Sequence, residues 1–415
     1  MSRENAGARF SADGGPALGE ALGEFLRGLG RAPRLLGFGE PMHGQETFLE
    51  LRNQAFRYLV EHEGYRSIAI ESSCIRGAIV DAFIHGDPGY TLDHVMAQGF
   101  SHGFGAYAAN HELVRWLAEY NRERPRDERL RFTGFDAPIE ITGADSPRET
   151  LSFLFSYLAL HLEASELPSS LARIYSLVGH DDRWTNPGAA MDPTQSVGGS
   201  PDVGELRVIA EDLLMLLASE TPRLISISSR NELWEAELRG RAAAGLLSYH
   251  AAMADTSPRR TSRLMAIRDK LMADNLRSLV ELEARRGPSF VFAHNQHLLK
   301  GESCLRLGDE DIRWWSAGAL LAARLGDEYA VIGSALGAAP HQGIAEPDPD
   351  TLEGLLYTLP GDRNLVPASA LAAVVTDAGT ELVQRTTTNL GYFPLNPGSL
   401  GDFDAVAFLR DIAAA

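Results

Sequence analysis

One stretch constrains the fold most: a short apolar run, a glycine-containing turn, an amphipathic segment and a second apolar run follow one another. The first run, Arg34–Phe38, ends at the turn 39–44. From Gln45 to Glu63, apolar residues recur at three- and four-residue steps, which predicts a helix. Ser67–Ile70 is then typical of a buried strand. This order is that of a βαβ unit, which predicts parallel strands.

The same alternation recurs later in the chain. Further strands are predicted at Leu130–Thr133, Phe290–Ala293 and Tyr329–Gly333, with shorter strand-like runs near Ala372 and Leu382. The region from 147 to about 285 is almost wholly helical in pattern, apart from a polar loop at 180–201. We therefore predict an α/β fold with a mostly parallel central sheet flanked by helices and a long helical insertion. We expect one domain over 1–415, an insertion at 147–260 that shapes the pocket mouth, and a loosely held leader over the first fifteen residues.

Charge and cysteine content exclude several classes of protein. The 415 residues carry 38 Lys and Arg against 56 Asp and Glu, a formal net charge of −18, which disfavours nucleic acids and anionic membranes as partners. Two cysteines are too few for a disulfide framework or a thiolate metal site. The first fifteen residues lack the apolar core of a signal peptide, and no run is long enough to span a bilayer. We expect a cytoplasmic protein that binds a small molecule.

Several catalytic motifs are absent from the sequence. There is no phosphate-binding loop, no nucleophile elbow of the G-x-S-x-G type and no H-E-x-x-H zinc motif. The run at 37–39 lacks the third glycine of a dinucleotide-binding fingerprint. These absences direct attention to polar residues that follow the predicted strands.

Acidic and imidazole side chains follow four predicted strands: Glu40 and His43, Glu71, Asp136, and His294 with His297. Ligands of open α/β sheets bind outside the carboxyl ends of the strands, so these residues are candidates for an active site. His43 lies in the turn that follows the first strand, three residues after Glu40 and just before Gly44. Imidazole is well suited to general-base catalysis near neutral pH. A purely structural role in turns or helix caps is the alternative, and it applies best to Asp136.

Two arginines fall on apolar arcs of predicted helices, Arg52 on the first and Arg268 on a later one. A buried guanidinium is costly unless it is paired, so both are expected to be buried and paired with carboxylates. They could brace the fold, hold a substrate carbonyl, or do both. His102 and Tyr107 belong to a stretch rich in glycine and aromatic residues that could line the pocket. The set Glu71, His43, His294 and His297 would also suffice to bind zinc or iron.

Four blocks in the same order resemble the erythromycin esterase family. They are Gly39–Gly44 with Arg52 and Ile70-Glu71, then Trp116-Leu117 and Tyr120-Asn121 with Gly134-Phe135-Asp136, then Arg268-Asp269 with Met272-Ala273 and Asn275, and Ala293-His294-Asn295 with Leu298. Gly318–Gly333 and Phe403–Val406 are similar to the segments that follow. The resemblance covers Leu35 to Phe408. It implies a hydrolase of a macrolactone ester that uses neither a covalent serine intermediate nor an essential metal or cofactor.

The resemblance also implies roles for individual residues. His43 would be the general base, with Glu40 and Glu71 orienting and polarising it. Arg52, Arg268, His294 and His297 would bind the substrate or stabilise the developing oxyanion.

Two departures concern the substrate. Pro41-Met42 replaces the small polar pair usual in this motif, and the region 147–254 is unlike that of macrolide-resistance members.

The leading hypothesis from the residues and the resemblance is an ester or lactone hydrolase with His43-activated water. The alternatives are a natural-product tailoring enzyme that cyclises, eliminates or rearranges a polyketide-like substrate, a metalloenzyme, and a non-enzymatic binding protein.

Overall fold

The chain forms an eight-stranded, mostly parallel sheet covered by helices, as a computed structural model shows for residues 8–9, 15–140, 143–308, 310–378 and 381–413. The predicted α/β fold is thus confirmed. The strands of this sheet are β1 Ala8–Arg9, β2 Leu35–Glu40, β3 Ser67–Ser73, β4 Arg131–Asp136, β7 Ser289–His294, β10 Tyr329–Ala338, β11 Arg363–Pro367 and β12 Ala405–Asp411. Two small hairpins are formed by β5 Ile139–Glu140 with β6 Gly143–Ala144, and by β8 Glu302–Leu307 with β9 Glu310–Trp315.

The helices occupy the connections between strands and one long segment in the middle of the chain. They are α1 Gly15–Gly28, α2 Glu46–His62, α3 Cys74–Ile84, α4 Leu92–Gln98, α5 Ala108–Arg122, α6 Arg148–His161, α7 Leu171–Val178, α8 Pro201–Ser219, α9 Thr221–Ile227, α10 Arg230–Met253, α11 Arg260–Leu282, α12 Asn295–Leu298, α13 Ala317–Leu325, α14 Leu352–Tyr357 and α15 Ala368–Ala378. Helices α6 to α11 account for the long helical region. Within the described ranges, none of the helices combines the length and apolar character required to cross a bilayer.

The order of the strands is what positions the site. The sheet runs β1-β11-β12-β10-β2-β7-β3-β4, and the five pairs from β12 to β4 are parallel. The predicted βαβ strands β2 and β3 are indeed parallel, but β7 lies between them, although it is far away in sequence. Four neighbouring strands, β2, β7, β3 and β4, therefore end along the same edge.

The hydrophobic core lies on both faces of the sheet. One face packs against α1, α2 and α5 through residues such as Phe38, Phe56 and Phe290. The other packs against α11 and α13 through Val291, Leu276 and their neighbours. Strand residues are buried on both faces, as is expected of a parallel sheet covered by helices. The helical segment has an apolar cluster of its own between α6, α7, α8 and α10.

Two predictions about local structure are corrected. The run near Ala372 is not a strand but part of α15, because its many alanines favour a helix over a pleated conformation. Near Leu382 there is only an isolated bridge between Thr351 and Val383. In the expected leader, Ala8 and Arg9 pair with β11 as an edge strand, while 1–7 and 10–14 lie outside the described residues.

Candidate active site

The carboxyl ends of four adjacent strands place acidic and imidazole side chains next to one another. Glu40 ends β2 and is in register with His294, which ends β7. Glu71 lies near the end of β3, and Asp136 ends β4. All four side chains are buried. The structure thus brings together the residues that the sequence predicts for one cleft.

His43 lies in the turn between β2 and α2 and is the accessible member of this cluster, with 42% of its side chain exposed. Its Nδ1 lies 2.7 Å from Glu40 Oε1, and its Nε2 lies 3.7 Å from Glu71 Oε1. Burial alone would lower the pKa of His43, but the Glu71 carboxylate and the hydrogen bond to Glu40 outweigh burial and raise it to about 9. His43 is therefore mostly protonated at neutral pH.

Gly44, next to His43, allows the turn to adopt its shape. Its φ of +77° is in the region that favours glycine, and a Cβ there would lie 2.8 Å from the Tyr107 hydroxyl. This close approach places Tyr107, which is partly buried, beside the His43 turn. That this stretch lines a pocket stays a prediction.

Glu71 is the centre of the charge network. Its Oε1 accepts a hydrogen bond from Arg268 Nη2 at 3.1 Å and lies 3.4 Å from His297 Nε2, while its Oε2 accepts from the His294 backbone N–H at 2.8 Å. Burial would raise the pKa of Glu71, but His297, His43 and Arg268 outweigh burial and hold it well below its usual range. Glu71 is therefore ionised under all ordinary conditions.

Asp136 is the main partner of Arg268, and Arg268 is largely buried and paired, as predicted. Arg268 Nε donates to Asp136 Oδ1 at 3.0 Å and Arg268 Nη2 donates to Asp136 Oδ2 at 2.7 Å. His102, with a φ of +56°, places Nε2 3.1 Å from Asp136 Oδ2 and Nδ1 2.8 Å from Glu140 Oε2. Burial would raise the pKa of Asp136, but Arg268 and His102 lower it. Asp136 therefore pairs with both Arg268 and His102 at the carboxyl end of β4.

His294 and His297 differ in what their ring nitrogens contact. His294 Nδ1 accepts from the Gln296 N–H at 3.2 Å, and its Nε2 lies 3.3 Å from the Pro41 carbonyl. This pattern corresponds to a neutral ring, and burial, together with the His43 charge, lowers the pKa of His294 to about 3. His294 is therefore a poor proton acceptor at neutral pH.

His297 is held between two carboxylates. Its Nδ1 lies 3.0 Å from both oxygens of Asp269, and its Nε2 faces Glu71. Trp314 Nε1 also donates to Asp269, which fixes that carboxylate. Burial would lower the pKa of His297, but Asp269 and Glu71 outweigh burial and raise it. Both ring nitrogens of His297 therefore face carboxylates, which favour its protonated form.

Arg52 is buried as predicted but lacks the predicted carboxylate partner among the described residues. It is 1% exposed, as expected, but within the described part of the chain it forms no ion pair with a carboxylate. Its Nε and Nη2 instead donate to Asn53 Oδ1 at 3.1 and 2.8 Å, and its guanidinium lies 5.2 Å from the centre of the Phe292 ring. Burial lowers the pKa of Arg52 to about 10. The Asn53 amide and the face of the Phe292 ring take the place of the expected carboxylate. The predicted pairing of Arg52 with a carboxylate is therefore wrong.

Two aromatic residues flank the imidazoles, and neither was singled out from the sequence. The Phe104 ring lies 5.4 Å from the His43 ring, and the Phe393 ring lies 4.7 Å from the His294 ring, edge to face. The Phe393 backbone N–H donates to the Pro41 carbonyl at 2.9 Å, which attaches the C-terminal segment to the His43 turn. The local sequence around Phe393 does not predict this position, because its contact with Pro41 joins residues far apart in the chain.

The polar groups of the site already have hydrogen-bond partners within the protein. Both oxygens of Glu71 already accept hydrogen bonds, and both ring nitrogens of His294 contact backbone groups. In the ranges that the structure describes, no group of three or more His, Cys, Asp or Glu side chains is arranged to hold a metal. The polar groups are instead partnered with one another.

Fold and site together define an α/β protein with a histidine–carboxylate centre at the carboxyl edge of its sheet. The erythromycin esterase family model matches residues 60–412, so the chain belongs to that family. A curated relative, erythromycin esterase type II of Escherichia coli, is 28% identical over 105 residues, which is 25% of this chain and only 24% of the relative's length.

Solved structures share the fold at low sequence identity. A Bacillus cereus protein gives a TM-score of 0.74 at 16% identity, with 99% of this chain and 96% of the other covered. A succinoglycan biosynthesis protein gives 0.69 at 16% identity, also with 99% and 96% covered. A histidine-to-asparagine mutant of the erythromycin esterase EreC, in its open conformation, gives 0.66 at 18% identity, with 95% and 93% covered.

Proposed function

We propose that this protein hydrolyses an ester or lactone bond of a small molecule, with His43 as the general base that activates water. The observation that carries the proposal is the His43–Glu40 pair: Glu40 holds Nδ1 at 2.7 Å, while the half-open ring directs Nε2 toward the cluster around Glu71. A carboxylate that orients an imidazole in this way is the arrangement that general-base catalysis requires. Membership of the erythromycin esterase family supports the same class of reaction.

In this mechanism, neutral His43 takes a proton from water at Nε2 while the water oxygen attacks the ester carbonyl. The carbonyl oxygen becomes an oxyanion, which the cations Arg268 and His297 beside Glu71 stabilise. The tetrahedral intermediate then breaks its bond to the alcohol oxygen, and the imidazolium returns the proton to that oxygen. The products are a carboxylic acid and an alcohol. Water is the nucleophile because the described side-chain partners of His43 are carboxylates rather than a serine or cysteine.

The remaining candidate residues support this centre in different ways. His294 is a positioning residue, since its ring fixes the Pro41 end of the His43 turn. His102 holds Asp136, which in turn holds Arg268. Tyr107 contacts the substrate from the pocket mouth. Arg52 has almost no exposed surface and therefore acts through the protein rather than by touching the substrate.

The substrate class follows from the family and from the surroundings of the site. The relatives named erythromycin esterase point to a macrolactone. The aromatic rings of Phe104 and Phe393 beside the two imidazoles suit an apolar ring of this kind. We place the selectivity for the substrate in the helical insertion 147–260, which shapes the pocket mouth.

Solvent oxygen tests the reaction class directly. When the enzyme turns over a lactone in water enriched in ¹⁸O, one labelled oxygen is expected in the new carboxyl group, because the nucleophile comes from solvent. Mass spectrometry of the product measures this incorporation. Turnover that yields an unlabelled product would rule out hydrolysis and indicate an intramolecular cyclisation, elimination or rearrangement.

The pH dependence of the reaction tests whether His43 is the general base. Because the pKa of His43 is raised to about 9, the neutral base is scarce at pH 7 and becomes abundant only as the pH rises through that value. We expect kcat/KM to fall about tenfold per pH unit below about pH 9 and to level off above it. Initial rates in constant-ionic-strength buffers measure the profile. A flat profile between about pH 6 and 9 would contradict the assignment of His43 as the rate-limiting base.

A further inference from the structure

A small cavity lies behind the His43–Glu40 pair. Its polar lining comes from Glu40, Arg52, Glu71 and Asn110, and Leu49, Ile70, Phe104 and Phe292 complete the wall. Its volume is about 10 Å³, close to the minimum that one water molecule requires. The cavity is therefore far too small for a substrate but has the size for a single solvent molecule.

Two buried oxygens on this lining have no hydrogen-bond partner among the described residues. One is Glu40 Oε2, the carboxylate oxygen that does not face His43, and the other is Asn110 Oδ1. Asn110 is 1% exposed, and its amide Nδ2 is used by the Phe104 carbonyl at 2.7 Å. Buried polar atoms are almost always satisfied in folded proteins, so two unpaired acceptors in one cavity wall point to a shared partner.

Arg52 supplies the complementary group. A guanidinium has five N–H donors, and the described hydrogen bonds of Arg52, from Nε and Nη2, both end on Asn53 Oδ1. Donors therefore remain on the side chain that lines the cavity. The lining thus offers one cationic donor and two acceptors.

We propose that the cavity binds one ordered water, which accepts from Arg52 and donates to Glu40 Oε2 and Asn110 Oδ1, and that Asn110 is thereby a positioning residue for the Glu40–His43 pair. Water matches this lining because it has two O–H groups for the two acceptors and lone pairs for the guanidinium. A cation would face Arg52, and a halide would face the two oxygens, so neither ion fits.

The water fixes the second oxygen of Glu40 while His43 fixes the first. The groups that face His43 are Glu40 from β2, Glu71 from β3, Arg268 from α11 and His294 from β7. Of these, Glu40 carries the unpaired oxygen that the cavity water would bind, whereas Glu71, which also lines the cavity, has both oxygens in hydrogen bonds. Loss of the water would remove a hydrogen bond to the Glu40 carboxylate, favour its protonated form and weaken its hold on the His43 proton. The positioning role rests on the proposed function of His43, whereas the water site does not.

The test combines crystallography with a titration of His43. A high-resolution crystal structure of the wild-type protein is expected to show one water within hydrogen-bonding distance of Glu40, Arg52 and Asn110. In Asn110→Leu, which keeps the branching at Cγ but replaces the amide with a larger apolar group that excludes the water, NMR of the His43 ring is expected to show a pKa lower by about one pH unit than in the wild type. If the proposed hydrolysis holds, the midpoint of the pH–rate profile moves by the same amount.

The matched control is Asn121→Leu. Asn121 is a second asparagine on α5 with the same 1% exposure, but its amide is fully used by Leu130 and Ile84, away from the cavity. It should cost stability without moving the His43 titration. A wild-type cavity without water, or an unchanged His43 titration in Asn110→Leu, would overturn the proposal. Neither readout requires ester hydrolysis, so failure of the proposed function is distinguishable from failure of this inference.

Discussion

Replacing His43 with glutamine is expected to lower kcat/KM for ester hydrolysis by about 10²–10⁴-fold, the usual loss when a positioned general base is removed. Glutamine keeps the size and can still hydrogen-bond to Glu40, but it has no nitrogen that takes up a proton at these pH values. The fold should survive, because His43 lies in a turn with 42% of its side chain exposed. Steady-state kinetics and thermal unfolding of the same preparation measure both effects.

The control for this prediction is His94→Gln. His94 is exposed on α4, and its ring lies against that of Tyr90, away from the proposed site, so its replacement should leave kcat/KM unchanged. The residual activity of His43→Gln should also lose the rise toward about pH 9 that the wild-type profile shows. An unchanged rate in His43→Gln would eliminate His43 as the base.

Replacing Arg268 with alanine is expected to lower the free energy of unfolding by about 3–5 kcal/mol, because two buried carboxylates lose their shared cation. These are Asp136, which is 0% exposed, and Glu71, which is 3% exposed. Urea denaturation at neutral pH measures the loss. Activity is not the readout here, since partial unfolding alone would reduce it.

The pH dependence of that loss follows from the two carboxyl groups. Arg268 helps to hold the pKa values of Glu71 and Asp136 below their usual range, so its stabilisation is present above their unfolded values and disappears as the pH falls through the folded ones. The difference between wild type and Arg268→Ala should therefore be largest near neutral pH and shrink in acid.

Arg277→Ala is the control on the same helix. Arg277 is exposed and pairs with Glu281 one turn away, an interaction worth about 0.5 kcal/mol or less. If both variants lost the same small amount of stability, the buried Arg268 network would not contribute as proposed.

Local patterns predicted most of the secondary structure, because the order of apolar and polar residues within a short segment indicates a buried strand or an amphipathic helix. Gln45–Glu63 became α2, and the strand predicted at Ser67–Ile70 extends through Ser73. Gly64 has a φ of +75°, as a glycine that ends a helix should. The prediction of a strand near Ala372 was wrong because apolar residues in a short alanine-rich segment do not distinguish a strand from a helix.

The resemblance and the strand ends also predicted which polar residues would lie together. Glu40, His43, Glu71 and His294 were predicted to lie in one cleft, because the carboxyl ends of parallel strands meet at one edge. What the residues do there was not readable in the same way. Protonation depends on neighbours in space, so the raised pKa of His43 and the lowered pKa of His294 emerge only from the folded contacts.

The sequence by itself determined the fold class, most of the helices and strands, and the candidate residues at the strand ends, since each of these depends on residues close together in the chain. Only the tertiary structure decided the strand order that inserts β7 between β2 and β3. It also decided that Asp136 and Glu71 are the carboxylates that pair with Arg268, and that the Phe393 ring lies against the His294 ring. These contacts join segments separated by 99 residues or more, and they form because the sheet brings distant strand ends to one edge.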